Sequence, residues 1–312
     1  MYSCLFSCKV TSRVRQTTAW CTKVTNQRDY ISTEMFNRNY NKYRYDSFIF
    51  GSSRTLAFSP SSWHRYIGVN ASPFMFDASN ETITGILGKL NYLDSQGVKI
   101  KNTLIILCLD CSFRGAESST GHLFIKHPAT SKESRLDFQV EFLRAYFNVK
   151  FLYKFFAFKL IGTYRPFMAG VIEPRRITYD RVTNEVRIHD QEEELLQSPA
   201  EYYSKRKQIF YTRTEEHSDT VTRIDAAQIS VLLKIKQILE KQHTEYRIVI
   251  SPLYDQIRCS DQDLRVLKHL FGSLVYNFSG RNRFTESERN YYEASHYRPQ
   301  VGDAIMDSIY MN

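Results

Sequence analysis

Two segments at opposite ends of the chain carry residue types that could do acyl-group chemistry together. Ser53 follows the apolar run 47–50 at a glycine-containing turn, and His296 lies just before the C-terminal helical stretch. A serine hydroxyl is a weak nucleophile until a base accepts its proton. Glu293, three residues before His296, could accept a hydrogen bond from the far ring nitrogen and fix the tautomer that faces Ser53. These residues predict a Ser-His-Glu arrangement.

The same residues also permit plainer interpretations. Ser295 could cap the helix that follows, which would leave His296 solvated. Arg54 could form a salt bridge beneath the turn, or it could contact an anionic acyl acceptor. We expect Arg298 at the surface, near the end of a helix.

The elements that must position these residues alternate along the chain. Strands are expected at 47–50, 66–69, 103–109, 246–250 and 274–278, and helices at 83–93, 224–242, 260–271 and 299–310. Asn80 is the expected cap of the helix at 83–93. The run 103–109 is apolar on both faces, as parallel strands covered by helices must be. The pattern predicts an α/β protein with a doubly wound, mainly parallel sheet.

Residues 113–222 interrupt this alternation with an aromatic-rich helical stretch and a hairpin around Thr183-Asn184. We interpret the block as an insertion that covers or shapes a cleft. Its aromatic residues favour packing over ligand binding; they are Phe142, Tyr146, Phe147, Phe151, Phe155 and Phe156. Residues 1–29 are polar and aperiodic, which predicts an irregular N-terminal segment followed by one domain over 30–312.

Two motifs resemble blocks of a known superfamily. Residues 50–55 (FGSSRT) resemble the GDS-type first block of the SGNH hydrolases, with Ser52 in place of aspartate. Residues 292–303 (YEASHYRPQVGD) resemble their last DxxH block, with Glu293 for aspartate. The DltD-like and alginate-acetylation-like branches, which keep GSS or GSSR and a His-Tyr-Arg-Pro tail, are the most similar. With the strand order, the resemblance covers about 45–110 and 225–312, but not the insertion.

This resemblance implies a three-layer α/β/α sandwich with a mainly parallel, flavodoxin-like sheet. It further implies that Ser53 attacks an ester, that His296 acts as base and then as acid, and that Glu293 orients the histidine. It also implies an oxyanion hole, because N–H donors must meet the charge of the tetrahedral intermediate. The expected donors are the N–H of Ser53, the backbone N–H of Ser72 and the side-chain amide of Asn70.

In the third block of the family many members have an asparagine, whereas this chain has Asp110 at that position. A carboxylate would repel an oxyanion. We therefore expect Asp110 to pair with Arg54 or with a substrate cation, and this departure predicts weaker catalysis without affecting the fold.

The resemblance further implies a serine esterase or O-acyltransferase that acts, without a cofactor, on acetyl-like esters of a carbohydrate or cell-envelope polymer. By the same analogy the protein would be extracytoplasmic, with a membrane-bound acyl-transfer partner. One alternative keeps the fold and makes the chain a catalytically weak module that binds an anionic glycan. Another is a polyanion binder, whose affinity would fall steeply with salt.

Composition limits these choices. Forty-two Lys and Arg against 33 Asp and Glu give a net charge of +9, which favours polyanions and anionic membrane surfaces. The basic residues are scattered, so nucleic acid binding is not expected.

No apolar run reaches the roughly 18 residues of a membrane span, and no signal-peptide stretch occurs in the first 30 residues. Cys108 and Cys111 lack a second close pair, which favours free thiols over a metal site.

Overall fold

The computed structural model describes residues 23–24, 27–115, 121–173, 176–213 and 221–311. Its helices are α1 (Arg28–Tyr43), α2 (Pro60–Ile67), α3 (Ile83–Ser95), α4 (Arg135–Tyr146), α5 (Val149–Ile161), α6 (His189–Gln197), α7 (Pro199–Ser204), α8 (Ala226–Lys241), α9 (Asp261–Phe271) and α10 (Pro299–Tyr310). Its strands are β1 (Lys23–Val24), β2 (Ser47–Gly51), β3 (Pro73–Met75), β4 (Asn102–Leu107), β5 (Ile172–Glu173), β6 (Ile177–Tyr179), β7 (Val186–Ile188), β8 (Glu245–Ile250), β9 (Val275–Asn277), β10 (Tyr291–Glu293) and β11 (His296–Tyr297).

Five strands form the central sheet in the order β3-β2-β4-β8-β9. Every neighbouring pair in this sheet is parallel. The chain adds β3 on one side of β2 and β4, β8 and β9 on the other, so the strand order reverses between β2 and β4. In open α/β sheets this reversal opens a crevice at the carboxyl ends of the strands, where ligands bind.

Helices cover both faces of the sheet, because successive side chains of each strand point to opposite sides. Phe48 and Phe50 join one buried cluster, to which α1, α3, α8 and α9 contribute. Ile49 joins a second cluster on the other face, which includes residues from α2, α7 and α10. The chain is therefore an α/β sandwich, and the predicted fold class is confirmed.

The second strand lies elsewhere than expected. Tyr66 and Ile67 end α2, which begins at Pro60 and is capped by the Ser59 side chain accepting from the N–H of Ser62 at 3.3 Å. The strand itself begins only at Pro73. A short apolar run does not distinguish a strand from the end of a helix, whereas a serine followed by proline marks a helix start.

Helix α1 begins at Arg28, in the last two residues of the segment expected to be irregular, with the Gln27 side chain as its cap. Residues 1–22 of that segment lie outside the described residues. The expected cap of α3 was wrong. Helix α3 is capped by Thr82, whose hydroxyl accepts from the N–H of Gly85 at 3.2 Å, and not by Asn80. Asn80 has a φ of 49° and lies in the loop between β3 and α3.

A buried group of charges holds α1 and α3 against the end of β3. The Lys89 ammonium, in the interior, lies 2.6 Å from Glu81 and 3.0 Å from Asp29. Lys126 adds a second cation 2.6 Å from Glu81. Ions of opposite sign are thus paired away from water, which is the condition for retaining them in a core.

The insertion contributes unevenly to the core. None of its described residues adds a strand to the central sheet, and the hairpin of β6 and β7 forms as predicted. Leu195 and Tyr202 of α6 and α7 are buried in the second cluster. The expected packing of the aromatic stretch is wrong in part, because Phe147 and Phe156 are exposed and no described element covers them. Among the described residues, no helix combines the length and apolar character needed to cross a bilayer.

We predict that Gly51→Ala destabilises the fold by about 3 kcal/mol or more. Gly51 has a φ of 151°, and an added Cβ would lie 2.6 Å from the carbonyl oxygen of Ile106 in β4. Gly97→Ala is the matched control, because Gly97 also has a positive φ, 67°, but open space around it. The control should cost only about 1 kcal/mol in urea unfolding. Equal losses in the two variants would contradict a tight approach of β2 to β4.

Candidate active site

Ser53 begins a short 3-10 helix, Ser53–Ala57, directly after β2. The turn is closed by Thr55, whose N–H and hydroxyl both donate to the carbonyl of Ser52, at 3.0 and 2.8 Å. Ser52 is buried, with its hydroxyl 3.0 Å from the sulfur of Cys108. Ser53 is only half-buried. The turn therefore directs one serine into the protein and presents the next at its surface.

His296 and Glu293 face each other across a tight hairpin. Strands β10 and β11 are antiparallel, and Glu293 is the register partner of His296. Residues opposite each other in such a pair have adjacent side chains. A Glu293 carboxylate oxygen contacts His296 Nδ1 and accepts from the Ser295 hydroxyl at 2.7 Å. The hairpin is the means by which Glu293 turns back to the ring, as the sequence predicted.

Folding brings this hairpin to Ser53, 243 residues earlier in the chain. The distance from His296 Nε2 to Ser53 Oγ is 2.7 Å. With the carboxylate on Nδ1, that nitrogen carries the proton and Nε2 is left to accept from the serine hydroxyl. The structure thus brings Ser53, His296 and Glu293 together at the carboxyl end of the sheet.

The Glu293 carboxylate is ionised at neutral pH. The hydrogen bond from His296 lowers the pKa of Glu293 to about 2, although partial burial opposes this shift. A carboxylate held in this form fixes the imidazole orientation and stabilises the imidazolium that appears when the ring accepts a proton.

Arg54 joins the three segments that meet at this site. Its guanidinium donates to both Asp110 oxygens, at 2.6 and 2.8 Å, and its Nε donates to the Ser295 carbonyl at 2.8 Å. The side chain is only 3% exposed, so it forms the salt bridge beneath the turn and does not face a substrate. Burial would raise the pKa of Asp110, but the hydrogen bond and charge of Arg54 outweigh it and keep the pKa below its ordinary value.

Two further contacts hold the hairpin and the serine turn in place. The Ala294 carbonyl accepts from the N–H of Tyr254, in the loop after β8, at 3.1 Å. Helix α10 lies against the serine turn so closely that a Cβ on Gly302 would be 2.0 Å from the carbonyl oxygen of Ala57. Gly302 is therefore required for this close approach, because a larger residue would collide with the turn.

Arg298 does not lie at the surface, contrary to expectation. It is buried and forms an ion pair with Glu192 of α6, to which its Nε donates at 3.1 Å. The Tyr292 hydroxyl donates to the same carboxylate. Glu192 therefore binds both Tyr292 in the first strand of the hairpin and Arg298 directly after its second strand. Sequence reasoning missed it, since no spacing relates an acidic residue of the insertion to a C-terminal loop.

Two expected oxyanion-hole residues lie far from Ser53. The backbone N–H of Ser72 donates to the Asp46 carboxylate at 2.8 Å, just before β2 begins. Asn70 lies exposed in the turn ahead of β3. Because β2 and β3 run parallel, residues before them lie at the amino edge of the sheet, opposite Ser53. The expectation was wrong because it followed from the misplaced second strand.

The loop after the actual second strand does reach the serine turn. The N–H of Ala78 donates to the Gly51 carbonyl at 3.2 Å, and Ser79 and Asn80 follow at the same edge. The N–H of Ser53 stands at the first position of its helical turn, where N–H groups have no acceptor within the turn. These segments are the candidate source of oxyanion donors.

Two cysteines and Asp110 form a cluster beneath the turn. The sulfurs of Cys108 and Cys111 and a carboxylate oxygen of Asp110 lie within 4.8 Å of one another. Both cysteines are buried free thiols, as expected, whereas Cys4, Cys8 and Cys21 lie outside the described residues. The two oxygens of Asp110 are engaged by Arg54, and Cys108 contacts Ser52, so the cluster supports the base of the turn.

A cleft of about 320 Å³ adjoins the site at Asp110. It is lined by Leu109, Asp110, Phe113, Arg114 and Arg223.

In comparisons with known proteins, no family model and no curated protein matches this chain. The function must therefore be inferred from the residues and their geometry.

We predict that in Glu293→Gln the free energy of unfolding changes less with pH in the acidic range. The pKa of Glu293 in the folded chain is about 2 and its ordinary value is 4.5. The stabilisation by the ionised carboxylate is therefore fully present above about pH 4.5 and is lost toward pH 2. Since its side chain is 37% exposed, we expect only about 1 kcal/mol at pH 7. Urea unfolding from pH 7 to pH 3 should show the two proteins converging below pH 4.5.

Glu133→Gln is the control, because Glu133 is exposed and distant in sequence from the hairpin. Its unfolding curves should follow those of the wild type at every pH. A constant difference between wild type and Glu293→Gln across the whole range would contradict the depressed pKa.

Proposed function

We propose that this chain is an SGNH-type serine esterase or O-acyltransferase. The observation that supports this most directly is the 2.7 Å contact between Ser53 Oγ and His296 Nε2, with Glu293 on the other ring nitrogen. A nucleophile, its base and an orienting acid in this order are what acyl transfer through a serine requires.

In the proposed reaction, Ser53 Oγ attacks the ester carbonyl carbon while His296 Nε2 takes the hydroxyl proton. The tetrahedral intermediate collapses when the bond to the leaving alcohol breaks, and the imidazolium gives its proton to that alcohol oxygen. The product is an acyl-serine and a free alcohol. Water or an acceptor hydroxyl then attacks the acyl-serine, with His296 again as base, and the serine is regenerated.

The developing oxyanion needs donors and must be kept from Asp110. We assign donation to the N–H of Ser53 and to the backbone of residues 79–80, which lie at the same edge. Asp110 is neutralised by its two hydrogen bonds with Arg54, so its charge opposes the oxyanion less than a free carboxylate would.

The resemblance and the cleft both support a proposal for the substrate class. We propose an acetyl-like ester of an anionic carbohydrate or cell-envelope polymer, because Arg114 and Arg223 line the cleft beside Asp110. An extracytoplasmic location and a membrane-bound acyl-transfer partner follow from the resemblance alone. His296 is 38% exposed, so water can reach the acyl-serine, and hydrolysis is the expected outcome when no acceptor is bound.

A second candidate function is a catalytically weak module that binds an anionic glycan. The replacement of the family's asparagine by Asp110 and the arginines of the cleft favour it. It differs from the enzyme in one respect that can be measured, since a binding module needs no reactive serine.

We predict that a fluorophosphonate probe labels Ser53 and that Ser53→Ala abolishes labelling. His296→Ala should slow labelling and reduce kcat/KM on an aryl acetate by about a thousandfold or more, because the serine loses its base. Mass spectrometry of the digested protein identifies the labelled residue.

Ser95→Ala and His269→Ala are matched controls, since both residues are exposed on other helices. Both should label at the wild-type rate. Labelling that persists in Ser53→Ala would contradict the assignment, and glycan binding without any labelling would favour the binding module.

A further inference from the structure

Helix α5 has a composition unlike that of the other helices of the domain. Every one of its 13 residues is a lysine or has an apolar or aromatic side chain, and none of them is buried. The surrounding stretch from Phe142 to Ile172 contains no Asp or Glu, yet it holds two arginines and three lysines. A helix this apolar is normally covered by protein or by lipid.

The exposed side chains of α5 and its flanks combine two chemical characters. Large apolar groups project into solvent, among them Val149 at 79% exposure and Leu160 at 88%. Phe147, Tyr153 and Phe156 are also exposed. Cationic groups lie between them, since Lys150, Lys159, Arg144 and Arg165 are exposed as well. We name this combined surface of α4 and α5, residues 143–167, the basic-apolar surface.

We propose that the basic-apolar surface docks on an anionic lipid bilayer. Apolar and aromatic side chains such as Val149, Phe156 and Leu160 would enter the boundary between headgroups and acyl chains, while Lys150 and Lys159 contact lipid phosphates. Interfacial helices bind in this way, through buried apolar area and through attraction of each cation to the negative surface. At about 20 Å, 13 helical residues are too short to span the bilayer, so the helix lies in its plane.

Charge disfavours a second copy of the chain and the N-terminal residues 1–22 as occupants. A second copy would bring an identical cationic surface to the first, and like charges would then face each other. The N-terminal residues 1–22 hold Lys9, Arg13 and Arg15 and no acidic residue, so they too are cationic. An anionic lipid surface complements both the charge and the apolar character.

This inference does not depend on the proposed function, because no residue of the basic-apolar surface belongs to the Ser53 site. It can be tested by sedimentation of the full chain with vesicles. We expect binding to vesicles of phosphatidylcholine and phosphatidylglycerol in equal amounts, and weak binding to phosphatidylcholine alone. Binding should decrease as salt screens the lysines.

Two double variants separate the apolar and the cationic contributions. Val149→Asp with Leu160→Asp, and Lys150→Glu with Lys159→Glu, should each reduce partitioning onto the anionic vesicles at least about tenfold. All four side chains are exposed, so the fold is expected to survive. The matched control is Val69→Asp with Lys99→Glu, two exposed positions elsewhere, and it should bind as the wild type does.

Failure to bind anionic vesicles would overturn the proposal. So would an equal loss of binding in the control variant, which would indicate a general charge effect. Self-association in sedimentation equilibrium that is abolished by Val149→Asp with Leu160→Asp, without vesicle binding, would assign the surface to a second copy instead. Fluorophosphonate labelling of Ser53 should be the same in all these variants, so its outcome remains separate from that of membrane docking.

Discussion

The position of the candidate nucleophile relative to its base depends on the buried guanidinium of Arg54. It binds Asp110 at the end of β4 and the carbonyl of Ser295 in the histidine hairpin, while it follows Ser53 directly in the chain. A buried cation must be paired, and Asp110 and the Ser295 carbonyl supply the partners of this one. Arg54 thus joins the crevice between β2 and β4 to the hairpin near the C-terminus, and it holds the hydroxyl and the imidazole within reach of each other.

The remainder of the structure makes this junction rigid. Gly51 allows β2 to approach β4, and Gly302 allows α10 to approach the serine turn. Glu192, from the insertion, binds Arg298 and Tyr292 on either side of the hairpin. The insertion therefore stabilises the site through α6, whereas α5, which carries the basic-apolar surface, lies outside the core. In the two proposals, the insertion supports the reaction through α6 and positions the protein on a membrane surface through α5.

The sequence predicted the elements with strong local signals and missed those that depend on distant partners. The strand before Ser53 and the helix after Arg298 were found, because apolar runs next to glycine or proline mark their ends. The run 66–69 was too short to distinguish a helix end from a strand, and that error moved the expected oxyanion donors to the wrong edge. The burial of Arg298 depends on Glu192, more than a hundred residues away, which no local pattern can reveal.

The most direct test of the central claim is the rate of fluorophosphonate labelling of Ser53 in Arg54→Lys. Lysine keeps the charge but lacks the planar set of donors that reaches Asp110 and Ser295 together. We expect labelling at least about tenfold slower at a temperature where the variant is folded, with Arg65→Lys, at an exposed site, unchanged. A folded Arg54→Lys protein that labels at the wild-type rate would contradict the account.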